Sequence, residues 1–192
     1  MLLLNTQLAN TPVMSLQSGT SLGAVSEPII DPRKLQIVAL RVTGPRILEP
    51  SVLHTSDIRE LGPLGFIVDG ADSIMTLDED LVRLQEVIGL NFSLIGKMVI
   101  DDTKKRLGKV VEYTLESEGF TVQKIHVGQS LLKNISNSNL IIHRTQIIEI
   151  TDKEIIVKSA TVQDQVGLGQ VLNPFRKSPN SLVPDAKLAS ED

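Results

Sequence analysis

The stretch Ser21–Val42, SLGAVSEPIIDPRKLQIVALRV, returns later in the chain as Arg106–Val127, RLGKVVEYTLESEGFTVQKIHV. Leu22-Gly23-Ala24-Val25 falls on Leu107-Gly108-Lys109-Val110 at an offset of 85 residues (107 − 22). The same offset sets Glu27 on Glu112, Asp31 on Glu116, Leu40 on Ile125 and Val42 on Val127. A second block, LHTSDI (Leu53–Ile58), meets IHRTQI (Ile142–Ile147) at an offset of 89 (142 − 53), so the second copy carries 4 more residues (89 − 85) before it. A third, IVDGADSI (Ile67–Ile74), meets IEITDKEI (Ile148–Ile155) at 81 (148 − 67). That match places 8 additional residues (89 − 81) in the first copy, across RELGPLGF (Arg59–Phe66). Self-similarity kept in order along the chain is the mark of a duplicated unit.

Each copy reads as strands. Leu40 and Val42 flank Arg41, and Ile125 and Val127 flank His126, the period of two of a half-buried strand. DPRK (Asp31–Lys34) and ESEG (Glu116–Gly119) supply turn chemistry between strands, DDTKKR (Asp101–Arg106) and TDKE (Thr151–Glu154) two more polar hairpin loops. One segment differs. TLDEDLVRLQEVIG, residues 76–89, reads as a helix, with Thr76 as N-cap, Glu79 completing a capping box, Leu81, Leu84 and Ile88 on one face and Gly89 as C-cap. Its apolar stripe is expected to pack on one or both copies. The expected layout is a first unit over 12–75, a connecting helix over 76–91, a second unit over 92–159 and a disordered tail over 160–192, where Ser, Pro, Gly and Asp dominate.

Composition narrows the classes of function. Hydrophobic residues make up 41% and charged residues 22%, the balance of a folded protein, while aromatics are only 3%, so Ile, Leu and Val must build the core. A net charge of −4 without basic clusters or aromatic platforms argues against direct nucleic-acid contact. There is no cysteine, hence no disulfide or thiolate site, in keeping with a cytoplasmic protein. The start, MLLLNTQLANTPVM, is too short for a signal peptide or a membrane span and is expected to fray ahead of the first strand, with a weak interfacial anchor as the alternative.

LIGKMVIDDTKKRLGKVVEYTLESEGFTVQKIHV (Leu94–Val127) resembles the opening half of a PRC-barrel domain: a Gly-containing strand, a charged hairpin, a Leu-Gly-x-Val turn, an acidic strand and an apolar strand. LIIHRTQIIEITDKEIIVKS (Leu140–Ser159) resembles its closing half. The first copy follows the same plan, with Pro28 inside the acidic strand. The resemblance implies an all-β chain of two tandem small antiparallel barrels joined by a short α-helix. Family members include the cytoplasmic domain of the photosynthetic reaction-centre H subunit and the C-terminal domain of the ribosome-maturation factor RimM. They imply a non-enzymatic adaptor, expected to bind other proteins through barrel edges, the first copy's additional loop and the tail; a ribosome-assembly adaptor, and a ligand or enzymatic site in the cleft between barrels, are the rival readings.

No residue set requires a cofactor or metal. His54 and His143 hold equivalent places, but Asp57 near the first is matched by Gln146, and His126 falls on a polar strand face, so a structural role is expected for them. Glu27 and Glu112 share strand parity with Val25 and Val110; a bulge after the glycine is expected to turn them outward. Asp101-Asp102 lacks the spaced ligands of a calcium loop and reads as a solvated hairpin, and GLGQ (Gly167–Gln170) lacks the spacing of a phosphate loop. Two features remain as partner-binding candidates: Leu61, Leu64 and Phe66, expected to be exposed on the first copy's additional loop, and Leu172, Phe175 and Arg176 in VLNPFRK of the tail.

Overall fold

The computed structural model describes residues 1–47, 50–77, 82–128 and 140–159. The chain forms β1 (Leu2–Leu4), β2 (Pro12–Ser15), β3 (Ser21–Asp31), β4 (Gln36–Thr43), β5 (Ser51–His54), β6 (Ile58–Gly62), β7 (Gly65–Val68), β8 (Ile74–Thr76), the helix α1 (Val82–Gly89), then β9 (Met98–Asp101), β10 (Arg106–Glu116), β11 (Thr121–Gly128), β12 (Leu140–His143), β13 (Ile147–Ile150) and β14 (Glu154–Val157). The all-β expectation holds. The strands join in one 14-stranded sheet whose main path runs β13-β14-β9-β10-β11-β4-β3-β2-β7-β6. That path is not closed into a barrel; β6 and β13 stand at its ends.

The two copies share one topology, strand for strand. Leu40 pairs with Leu53 as Ile125 pairs with Ile142, which fixes the offset of 89 residues after the 4-residue difference. Val13 pairs with Phe66 in a parallel ladder, and Val99 with Ile155 in the corresponding one. Ile58 faces Val68 as Ile147 faces Val157. The offset therefore stays at 89 to the end (155 − 66; 147 − 58), and the third sequence match, at 81, is a misalignment. Arg59–Phe66 is no insertion: it is the β6–β7 hairpin, the counterpart of β13–β14. What the first copy adds among the described residues is β8, which pairs with β5.

The copies meet at their hairpin turns. Ile37 N–H donates to the Phe120 carbonyl at 2.9 Å, and Val122 N–H donates to the Leu35 carbonyl at 2.8 Å. Exchanging the copies carries one bond onto the other, so the contact is a pseudo-two-fold within one chain. Leu35 and Phe120, both buried, hold φ of 51° and 50°, a left-handed conformation rare for bulky side chains. The Phe120 ring lies 6.2 Å from the Phe66 ring of the other copy. One apolar cluster consequently runs through both copies, pairing Val25 with Val110, Val42 with Val127 and Leu53 with Ile142 as equivalents.

The turns use the expected chemistry. Asp31 accepts the Arg33 guanidinium at 2.9 Å and its N–H at 3.0 Å, which lowers its pKa against the opposing effect of burial. Glu116 accepts the Gly119 N–H at 2.9 Å and that of Glu118, and its pKa is lowered for that reason.

The helix packs on the first copy. Leu84 and Val87 pack on Ile29, Ala39 and Val52, with Ile88 partly buried beside them. The counterparts of those three sheet residues are Thr114, Lys124 and Ile141, a mostly polar face that offers the helix less apolar surface to bury. The helix ends with Asn91, not Gly89, in the left-handed region (φ 44°). Thr76 belongs to β8, and Glu79 and Leu81 lie outside the described residues.

The N-terminus is not frayed. β1 pairs antiparallel with β10 of the second copy, Leu3 opposite Leu115, and Leu8 is buried. No described helix is long and apolar enough to cross a membrane.

Candidate interaction surface

The β6–β7 hairpin closes on the two residues Pro63 and Leu64, with Leu61 opposite Phe66 and Gly62 opposite Gly65. Gly65, at φ +109°, lies so near β2 that a Cβ there would sit 2.2 Å from the Pro12 carbonyl oxygen. An exposed ion pair, Arg59 to Asp69 at 2.6 Å, ties the hairpin's open end and lowers the Asp69 pKa. Leu64 at the tip is 69% exposed, Leu61 is half-buried, and Phe66 is 0% exposed. Phe66 is thus a core residue against Phe120, not part of an exposed loop. Leucine and proline at the tip expose apolar surface where the corresponding turn of the second copy, Thr151-Asp152-Lys153-Glu154, is polar.

Between this hairpin and the N-terminal segment runs an open groove of about 590 Å³. Leu61, Gly62, Pro63 and Gly65 form one wall, and Met1, Leu3, Gln7 and residues 9–12 the other; no lining side chain carries a charge. Exposed Leu2 and Leu4 alternate with buried Leu3 on β1, so that Leu3 alone of the three lines the groove. The equivalent space in the second copy is spanned by Lys97. Its ammonium donates to the Asp152 carbonyl and lies 4.8 Å from the centre of the Phe92 ring. Its first-copy counterpart, Thr11, is too short to cross and donates to the Gln7 carbonyl at 2.7 Å. These two positions correspond because Thr11 O accepts from Val25 N–H as Lys97 O accepts from Val110 N–H.

No protein-family model matches the chain, and no curated protein matches it.

The histidines occupy equivalent local roles. His54 Nδ1 accepts the Ser56 N–H at 3.3 Å, and His143 Nδ1 accepts that of Thr145 at 3.3 Å, each capping a short 3-10 turn. His126 Nε2 lies 2.8 Å from Thr114 Oγ1. The cleft between the copies is lined by residues 32–35, Arg144 and residues 147–150, and neither repeated histidine reaches it. Among the described residues no group of three or more His, Asp or Glu is placed to hold a metal ion.

Glu27 and Glu112 each follow a bulge, at Ser26 and Val111, as the strand parity requires. Glu27 lies 3.6 Å from Arg41, and Glu112 accepts from Thr6 Oγ1 at 3.1 Å. Asp101 is not solvated: it is buried, and its Oδ1 accepts from Thr103 Oγ1 at 2.6 Å, Lys105 N–H at 2.8 Å and Thr103 N–H at 2.9 Å, which lowers its pKa. Beside Glu112, the hydroxyl of buried Tyr113 has no hydrogen-bond partner among the described residues, and its pKa is raised first by burial and then by Glu112 and Glu27.

Leu172, Phe175 and Arg176 lie outside the described residues. The N-terminal wall of the groove was missed by the sequence reading, although a signal exists. LANTPV (Leu8–Val13) aligns with LIGKMV (Leu94–Val99) at an offset of 86 (94 − 8), and Leu8 and Leu94 are both buried.

Proposed function

We propose that this chain is a non-enzymatic cytoplasmic interaction protein made of two PRC-barrel-type units, and that it holds a protein partner through the apolar groove of the first unit. The observation that carries the reading is the contrast between two copies of one scaffold. The first presents Pro63 and Leu64 beside an open groove lined by no charged side chain, while the second presents Asp152 and Lys153 beside a space spanned by Lys97. An aliphatic or aromatic anchor from a partner would bury itself against Leu61, Pro63 and Leu64, the arrangement in which a few central contacts dominate affinity. The shared strands and turns support a scaffold role, since they repeat without a repeated set of catalytic groups. The proposal concerns protein partners and no nucleic acid.

Leu64→Asp tests it. The side chain is exposed, so the stability of the fold should change by less than about 0.5 kcal/mol. Recovery of the partner from the native cell by affinity purification should fall by about tenfold or more, because a carboxylate would be desolvated at an apolar contact. Undiminished recovery with the variant would remove the groove as the binding site.

A further inference from the structure

A second cleft, of about 300 Å³, lies on the seam between the copies, where the β3–β4 turn faces β13. Its lining is mixed: Arg33, Lys34 and Arg144 are basic, Glu149 is the one acidic side chain, and Ile147, Ile148 and Ile150 are aliphatic. Ile148 is 52% exposed. Asp31 holds the Arg33 guanidinium, and Arg144 donates to the Lys34 carbonyl at 3.2 Å, which orients the basic groups on this rim.

The scaffold already carries one added strand, along β10 and not along β6, the counterpart of β13. Around the second copy, β1 runs as an extended aliphatic strand along β10, where Ser117 N–H donates to the Met1 carbonyl at 2.9 Å and Tyr113 N–H to Asn5 Oδ1 at 3.2 Å. The counterparts of Tyr113 and Ser117 on the first copy are Pro28 and Pro32, which have no N–H to offer. β3 thus lacks two of the donors that hold the N-terminal segment on β10. β13, the last strand of the sheet path, pairs with β14 alone among the described residues, with a bulge at Ile148, so no described strand covers its other edge.

We propose that this cleft receives an extended segment of a partner protein in which aliphatic and acidic side chains alternate, added along β13. Backbone bonds to the strand edge would supply affinity, Ile148 and Ile150 would take the aliphatic side chains, and Lys34 and Arg144 the acidic ones. This site is separate from the groove at Leu64.

The test uses the full chain and a fluorescent peptide of alternating Glu and Val, followed by anisotropy. Binding is expected, weakening as salt rises and falling about tenfold in Arg144→Glu, Lys34→Glu and Ile148→Asp, while Leu64→Asp leaves it unchanged. Absence of binding, or equal binding of a Lys–Val peptide, overturns the proposal. So does self-association in sedimentation that Arg144→Glu abolishes, which would assign the cleft to a second copy. A gain in peptide affinity on replacing Asp164 and Asp185 with Lys would assign it to the chain's own tail, and also overturns it.

Discussion

Phe120→Ala is expected to lower the stability of the whole chain by about 3–5 kcal/mol, with both copies unfolding in the same transition. Phe120 belongs to the second copy but works for the first. Its ring packs on Phe66 with a centroid distance of 6.2 Å, and its carbonyl accepts the Ile37 N–H at 2.9 Å. Alanine keeps a Cβ at the same positive φ, so backbone strain is nearly unchanged and the loss reports the ring and the cavity it leaves. Urea unfolding followed by circular dichroism, with amide signals from each copy read by NMR, measures it. A loss below about 1 kcal/mol, or melting of one copy while the other stays folded, would mean that the seam is not part of the core.

The second large effect is expected at a glycine of the repeated Leu-Gly-x-Val motif. The motif is not a turn: Gly23 lies within β3 and Gly108 within β10. At Gly108, with φ +143°, a Cβ would stand 2.1 Å from the Gly128 carbonyl oxygen, and that neighbour is backbone that cannot step aside. Gly108→Ala should therefore cost about 2–5 kcal/mol, from strain and overpacking together. At Gly23 the Cβ would meet the Thr43 carbonyl oxygen and the Ile47 Cδ1 atom, each at 2.5 Å, and the second is a side-chain end that can move. Gly23→Ala should cost less. Thermal unfolding of the two variants gives the order, and a reversed order would contradict this account of the motif.

Much of the fold was legible because strand alternation and bulges leave local marks. Glu27 and Glu112 sat on the wrong parity for charged residues, and the bulges at Ser26 and Val111 resolve that conflict in both copies. The register of the last hairpin was not legible. Sliding the match from 89 to 81 moves it by 8 residues, an even number, so every side chain keeps its face and the apolar pattern cannot tell the two apart. That slip made Arg59–Phe66 look like an insertion and Phe66 look exposed. Closure was equally hidden, because whether β6 and β13 find partners depends on long-range pairing.

The candidate surfaces were legible only in part. Leu64 stood out as an apolar residue in a Gly-Pro turn. The opposite wall of its groove comes from residues 1–12, whose 3-residue strand is too short to show a period and is fixed by its pairing with β10. The helix was recognised by its stripe, but its choice of the first copy is written in the sheet: Ile29, Ala39 and Val52 against Thr114, Lys124 and Ile141.

The central claim is that binding lives where two copies of one scaffold differ. A photo-crosslinking residue placed at position 64, and in a second variant at its structural counterpart 153, tests this directly in the native cell. The account predicts a discrete protein adduct from position 64 and none of the same size from position 153. Equal adducts from both positions, or an adduct from 153 alone, would contradict it.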